Sequence, residues 1–166
     1  MLHRRNLVRA ASGLAIALLL AVLAHAPARA QSQPQTLYDP NANVRAEIQA
    51  ALASARQDNK LVLLEFGADW CLDCWILERH YQDAAVQPYL REHYHLVRID
   101  IGRGDRNMDV VRKYGEPIDG GVPAIVVLAP SGQVLATTRD GSMEGARRMT
   151  PAMVRRRLEQ WAALHR

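Results

Sequence analysis

At 166 residues the chain has room for one domain and a targeting segment, but not for two full domains. Its net charge of +4 belongs to the N-terminus: the first thirty residues hold four arginines and no acid, leaving 17 basic and 17 acidic residues in the remainder. The basic balance is therefore no sign of a nucleic-acid partner, and the absence of a Gly-rich phosphate loop, dinucleotide fingerprint or Ser-His-Asp arrangement excludes an evident nucleotide or flavin site.

Residues 1–30 read as a cleavable secretory signal. Arg4, Arg5 and Arg9 form the basic start, Gly13 to Ala24 the apolar run, and Ala28-Arg29-Ala30 a small-x-small cleavage site, with Ala24-His25-Ala26 a second cut. The alternative is an uncleaved membrane anchor, for which the apolar run is shorter than the roughly 20 residues a bilayer needs. Cleavage predicts a periplasmic protein. Residues 31–40 (QSQPQTLYDP) read as a linker, and residues 41–166 as the folded domain.

Within that domain a helix is predicted over 42–57, with Val44, Ile48, Leu52 and Ala55 on one face and Asn41 or Asn43 as cap. Leu61 to Phe66 (LVLLEF) is a near-continuous apolar run of strand length, expected to be central and buried. Helix follows from Cys71 to about Tyr81, then a helical stretch from Asp83 to Tyr94 with Pro88 as kink or boundary. His95 to Ile101 is the next strand, and Met108 to Tyr114 a short helix closed by Gly115. Ala124–Ala129 and Val134–Thr138 form a hairpin across Pro130-Ser131-Gly132-Gln133. Thr150 and Pro151 open a last helix, with Met153 or Val154, Leu158, Trp161 and Leu164 facing inward. This alternation predicts an α/β fold with a central mixed β-sheet flanked by helices.

The two cysteines, Cys71 and Cys74, carry the chemistry. In an oxidising compartment they pair with each other or with a partner. A loop this small constrains the unfolded chain very little, so a purely structural bridge is a poor explanation. The pair follows a buried strand and opens a helix, where unpaired N–H groups and the helix dipole favour a thiolate at Cys71. Cys71 is then the attacking sulfur and Cys74, one turn in, the resolving one. Trp70 shields one side of the pair and shapes the partner groove.

The segment Glu65-Phe66-Gly67-Ala68-Asp69-Trp70-Cys71-Leu72-Asp73-Cys74, with Gly121-Val122-Pro123 about fifty residues on, resembles the thioredoxin superfamily. Among its branches, Ala68-Asp69-Trp70-Cys71 is similar to the C-terminal domain of the thiol:disulfide interchange protein DsbD. The resemblance covers about 42–164 and implies the thioredoxin fold and a thiol–disulfide oxidoreductase, a protein-disulfide reductase or electron carrier. It also implies a cis proline at Pro123 that, with Val122, holds a substrate backbone. At Glu65 it implies a buried acid that relays a proton to and from Cys74, and burial raises the pKa such a role needs. The implied partners are protein thiols or disulfides and a redox partner such as a membrane electron donor, with no cofactor beyond the redox disulfide and no metal.

The sequence also departs from the superfamily pattern. Leu72-Asp73 stands where thioredoxin has Gly-Pro, Gly67 replaces a bulky aromatic and is expected to open the site, and Trp75 replaces a basic residue. Glu65, Asp69 and Asp73 place three carboxylates near the thiols with no lysine beside them, which disfavours thiolate and predicts a reducing couple. Two readings from other classes compete: a non-catalytic binding or chaperone module on the same fold, and a metal site formed by the cysteines with His80 or the His93/His95 pair. The arginines at 147–148 and 155–157 read as a solvated helix face, or else as a docking patch for an acidic partner or lipid head groups.

Overall fold

The computed structural model describes residues 36–165. The signal and the first half of the linker, residues 31–35, lie outside that range. Among the described residues no helix is long and apolar enough to cross a membrane.

Helix α1 (Val44–Asp58) is capped by Asn43, whose side chain accepts from the Ala46 N–H. It buries Val44, Ile48, Leu52 and Ala55 and ends at Asn59 in the left-handed region that asparagine tolerates. Strand β1 (Leu61–Gly67) is buried along its whole length. Helices α2 (Leu72–Tyr81) and α3 (Gln87–His93) precede β2 (Tyr94–Asp100), and α4 (Met108–Lys113) and a 3-10 turn (Pro117–Gly120) precede β3 (Ala124–Leu128). Strand β4 (Val134–Thr137), a second 3-10 turn (Ala146–Arg148) and α5 (Pro151–Ala162) complete the order.

The four strands lie in the order β2-β1-β3-β4, with β1 parallel to β2 and antiparallel to β3. Side chains alternate across β1. Val62, Leu64 and Phe66 enter a core shared with α1 and α4, while Leu61 and Leu63 enter a second core with Leu77, Leu90, Val154, Leu158 and Trp161 of α2, α3 and α5. Continued by the same period, Glu65 and Gly67 belong to the face that carries α2. The alternation therefore delivers a carboxyl and a side-chain-free backbone position to the face that carries the cysteines' helix.

Several boundaries differ from the sequence expectation. The stretch read as helical over 83–94 is a turn followed by the shorter α3, and Pro88 sits in its first turn, where the missing N–H costs nothing. Val154, rather than Met153, faces inward in α5. Leu164, expected inside, is 54% exposed. It lies beyond the α-helix in a terminal 3-10 turn, whose tighter winding breaks the spacing of Val154, Leu158 and Trp161.

Candidate active site

Cys71 is the N-cap of α2. Its backbone is extended (φ −83°, ψ 105°), so its Sγ turns over the first helical turn and accepts from the Cys74 N–H at 3.1 Å. At this end of a ten-residue helix the free N–H groups and the dipole stabilise a thiolate. Cys71 and Cys74 are joined as a disulfide with Cα atoms 5.3 Å apart. Cys71 is 5% exposed and Cys74 fully buried, so an incoming sulfur reaches Cys71 first.

The 3-10 turn before β3 brings Val122 and Pro123, joined by a cis peptide bond, across from the pair. The Val122 carbonyl oxygen lies 3.6 Å from Cys71 Sγ, placed to accept from the thiol once the bond is reduced. Trp70 is 56% exposed and anchored at the rim by its Nε1, which donates to the Gly102 carbonyl at 2.6 Å. Leu72 is likewise exposed. The outer side of the disulfide is thus apolar and open.

The inner side is polar and closed. Glu65 is fully buried, and its Oε1 accepts from the Tyr38 hydroxyl. Its other oxygen, Oε2, has no hydrogen-bond partner in the protein and lies 3.9 Å from Arg98 Nε. The parallel register places Arg98 there, directly opposite Glu65, while its Nη2 pairs with Glu78 on α2. Burial pushes the Glu65 carboxyl up to about 7, against the opposing pull of Arg98 and the Tyr38 hydrogen bond. Tyr38, itself buried, has its hydroxyl pushed well above the ordinary tyrosine range by burial and by the Glu65 charge, so it stays a donor.

Asp73 has a different fate. Its Oδ1 accepts from the Arg147 backbone N–H at 2.8 Å, and both its oxygens accept from the Arg147 guanidinium. Those hydrogen bonds hold its carboxyl below the usual range despite its burial. Asp69 Oδ1 accepts from the Leu37 and Tyr38 N–H groups at 2.8 and 3.0 Å.

A family profile described as thioredoxin-like matches residues 43–130. The chain belongs to the thioredoxin-like family. It is 39% identical over 94 residues to the thiol:disulfide interchange protein DsbD 1 of Pseudomonas aeruginosa, an alignment covering 55% of this chain and 15% of that protein. To DsbD of Pseudomonas fluorescens it is 33% identical over 89 residues, covering 52% of this chain and again 15% of the relative. The chain thus spans only a small part of the curated relatives it matches. Among solved structures, the disulphide isomerase from Xylella fastidiosa Temecula1 superposes with a TM-score of 0.74 at 33% identity, covering 77% of this chain and 98% of that one. With these relatives and this geometry, the Cys71–Cys74 pair is a thiol–disulfide oxidoreductase centre on a thioredoxin fold.

The thioredoxin-like frame brings together Glu65, Trp70, Cys71, Cys74, Val122 and Pro123 around one disulfide. Two expectations are corrected. Gly67 does not open the site: a Cβ there would strike the Tyr38 hydroxyl end and lie 2.8 Å from Cys74 Sγ, so Tyr38 occupies the room. Tyr38 itself lies in the stretch read as linker, whose last residues instead pack against the pair. Of the three carboxylates expected near the thiols, Asp73 pairs with Arg147 and Asp69 accepts from two backbone amides.

His95 stands opposite Val62, at the far end of β1 from the pair, and bonds Asp58 at 3.0 Å. Among the described residues no three His, Cys, Asp or Glu side chains are grouped to hold a metal. Sequence reasoning missed Tyr38, Arg98 and Arg147. Arg98 left a usable signal, a charge in mid-strand that demands a partner. Tyr38 and Arg147 lie about thirty and seventy residues from the carboxylates they engage and left none.

Proposed function

We propose that this protein is an exported thiol–disulfide oxidoreductase that reduces disulfides of other exported proteins, or passes electrons to them, without any cofactor beyond its own cysteine pair. The observation that carries this is the placement of Cys71 at the start of α2, facing Val122–Pro123 on one side, with the buried Cys74 and Glu65 behind it. Export rests on the signal sequence at residues 1–30. Thiol–disulfide exchange is supported by the DsbD relatives, named for thiol:disulfide interchange.

In the reduced protein the Cys71 thiolate attacks one sulfur of a partner disulfide, and the bond's electron pair leaves on the other sulfur. Val122 and Pro123 hold the partner backbone alongside. Glu65 takes the proton of the Cys74 thiol, and the Cys74 sulfur displaces the partner from Cys71. The partner leaves reduced and Cys71–Cys74 is oxidised. A second thiol protein, such as a membrane electron donor, returns the two electrons by the reverse exchange.

The test is trapping. Full-length Cys74→Ser, expressed with its signal, is expected to accumulate as mixed disulfides on Cys71 with exported proteins. Cys71→Ser is expected to trap none. An empty trap with an unreactive Cys71 would overturn the proposal.

A further inference from the structure

The thioredoxin-like match begins at residue 43, yet the active centre is completed by residues before it. Tyr38 is 2% exposed and packs with Cys71 and Cys74. Its hydroxyl donates to Glu65, and its ring end fills the space that glycine leaves at position 67, beside the Cys74 sulfur. Asp69 fastens the segment to the loop leading into Cys71 by accepting both the Leu37 and Tyr38 N–H groups.

We propose that Tyr38 is a positioning residue of the redox centre: its hydroxyl holds the Glu65 carboxylate in place beside Cys74 and favours the ionised form that accepts the Cys74 proton. This rests on the reading of Glu65 as the proton acceptor. In that step the Cys74 S–H bond breaks, the proton passes to Glu65, and the electron pair left on Sγ forms the bond to Cys71. The partner sulfur departs as a thiolate with the electrons of the mixed disulfide.

The other groups facing Glu65 do not substitute for Tyr38. From β2, Arg98 lies 3.9 Å from Oε2 and is engaged by Glu78. From α2, Glu78 repels a charge on Glu65, while Tyr81 is buried with a hydroxyl that makes no hydrogen bond in the protein. The residue opposite on β3, Ile125, carries no charge. Tyr38 is therefore the sole hydrogen-bond donor to Glu65 among the described residues. A donor favours the charged carboxylate over the acid, so deleting the hydroxyl raises the pH at which Glu65 gives up its proton.

The experiment compares wild type, Tyr38→Phe and Glu65→Gln. The reduced protein is mixed with 5,5′-dithiobis(2-nitrobenzoate), and release of the second thionitrobenzoate, as Cys74 resolves the Cys71 adduct, is timed across pH. Phe keeps the buried ring, and matched melting curves confirm the fold. Wild type is expected to show a midpoint about 7 from Glu65, Glu65→Gln to lose that midpoint, and Tyr38→Phe to keep it, displaced upward by about one pH unit. Carboxyl NMR of 13C-labelled Glu65 in the oxidised Tyr38→Phe protein is expected to show the same displacement without turnover.

If Glu65→Gln removes the midpoint but Tyr38→Phe leaves it and the NMR titration unmoved, the role of Tyr38 is overturned and that of Glu65 stands. If Glu65→Gln keeps the wild-type profile, the proton-acceptor reading falls, and this inference with it.

Discussion

Two acids of the site, Glu65 and Asp73, are both buried, yet the protein treats them in opposite ways. Asp73 receives a full set of donors from Arg147 and stays ionised. Glu65 receives one hydroxyl and a distant guanidinium, so burial wins and its carboxyl rises to about 7. Burial alone does not decide the charge of a carboxyl; the count and distance of donors do. One acid is fixed to anchor α2 against the segment before α5, and the other is left poised to move a proton.

Replacing Glu65 gives the largest expected effect. A carboxyl with a folded pKa of about 7, against about 4.3 in the unfolded chain, makes the native state hold its proton more tightly. Its penalty is absent below about pH 4, grows as pH rises through this window, and is constant above it. Glu65→Gln is therefore expected to be more stable than wild type at pH 8 by about 3 kcal/mol, with the gap closed at pH 4. Urea unfolding at both pH values checks this, and a gap that does not change with pH would break the comparison.

Gly67→Ala is expected to cost about 1–3 kcal/mol, because the added methyl collides with Tyr38 and Cys74 in a filled site. Thermal melts read it, and a neutral outcome would mean Tyr38 does not sit where Gly67 leaves room.

Arg147→Ala sharpens the other half. The lowered Asp73 carboxyl contributes stability that is full above about pH 3.9 and is lost as pH falls through its lower folded value. The variant is expected to melt on the order of 5 °C below wild type at pH 7, and level with it at the acid end. A difference that persists in acid would show that Arg147 acts by packing instead.

The arginines read as one solvated face divide along the same line. Arg147 closes on Asp73, while Arg155 pairs with Glu159 and lies over the Tyr89 ring. Spacing along the chain shows that they are basic and clustered and allows the i,i+4 pair of Arg155 with Glu159, but Asp73 and Tyr89 come from distant elements. The carboxylate count was blind to surroundings for the same reason. It registered Glu65, Asp69 and Asp73 as three charges, whereas the fold supplies each with a different set of donors.

The sequence by itself determined the frame. The apolar run of β1, the CxxC opening a helix and the Val-Pro before β3 are local patterns, and local backbone rules convert them directly into a strand, an N-capped cysteine and a turn facing it. Only the tertiary structure decided the environment behind the sulfurs. Parallel register set Arg98 beside Glu65, a returning N-terminal segment put Tyr38 into the gap at Gly67, and the segment before α5 brought Arg147 to Asp73. Those are long-range placements fixed by packing, and the charge state of a buried acid depends on them more than on its neighbours in the chain.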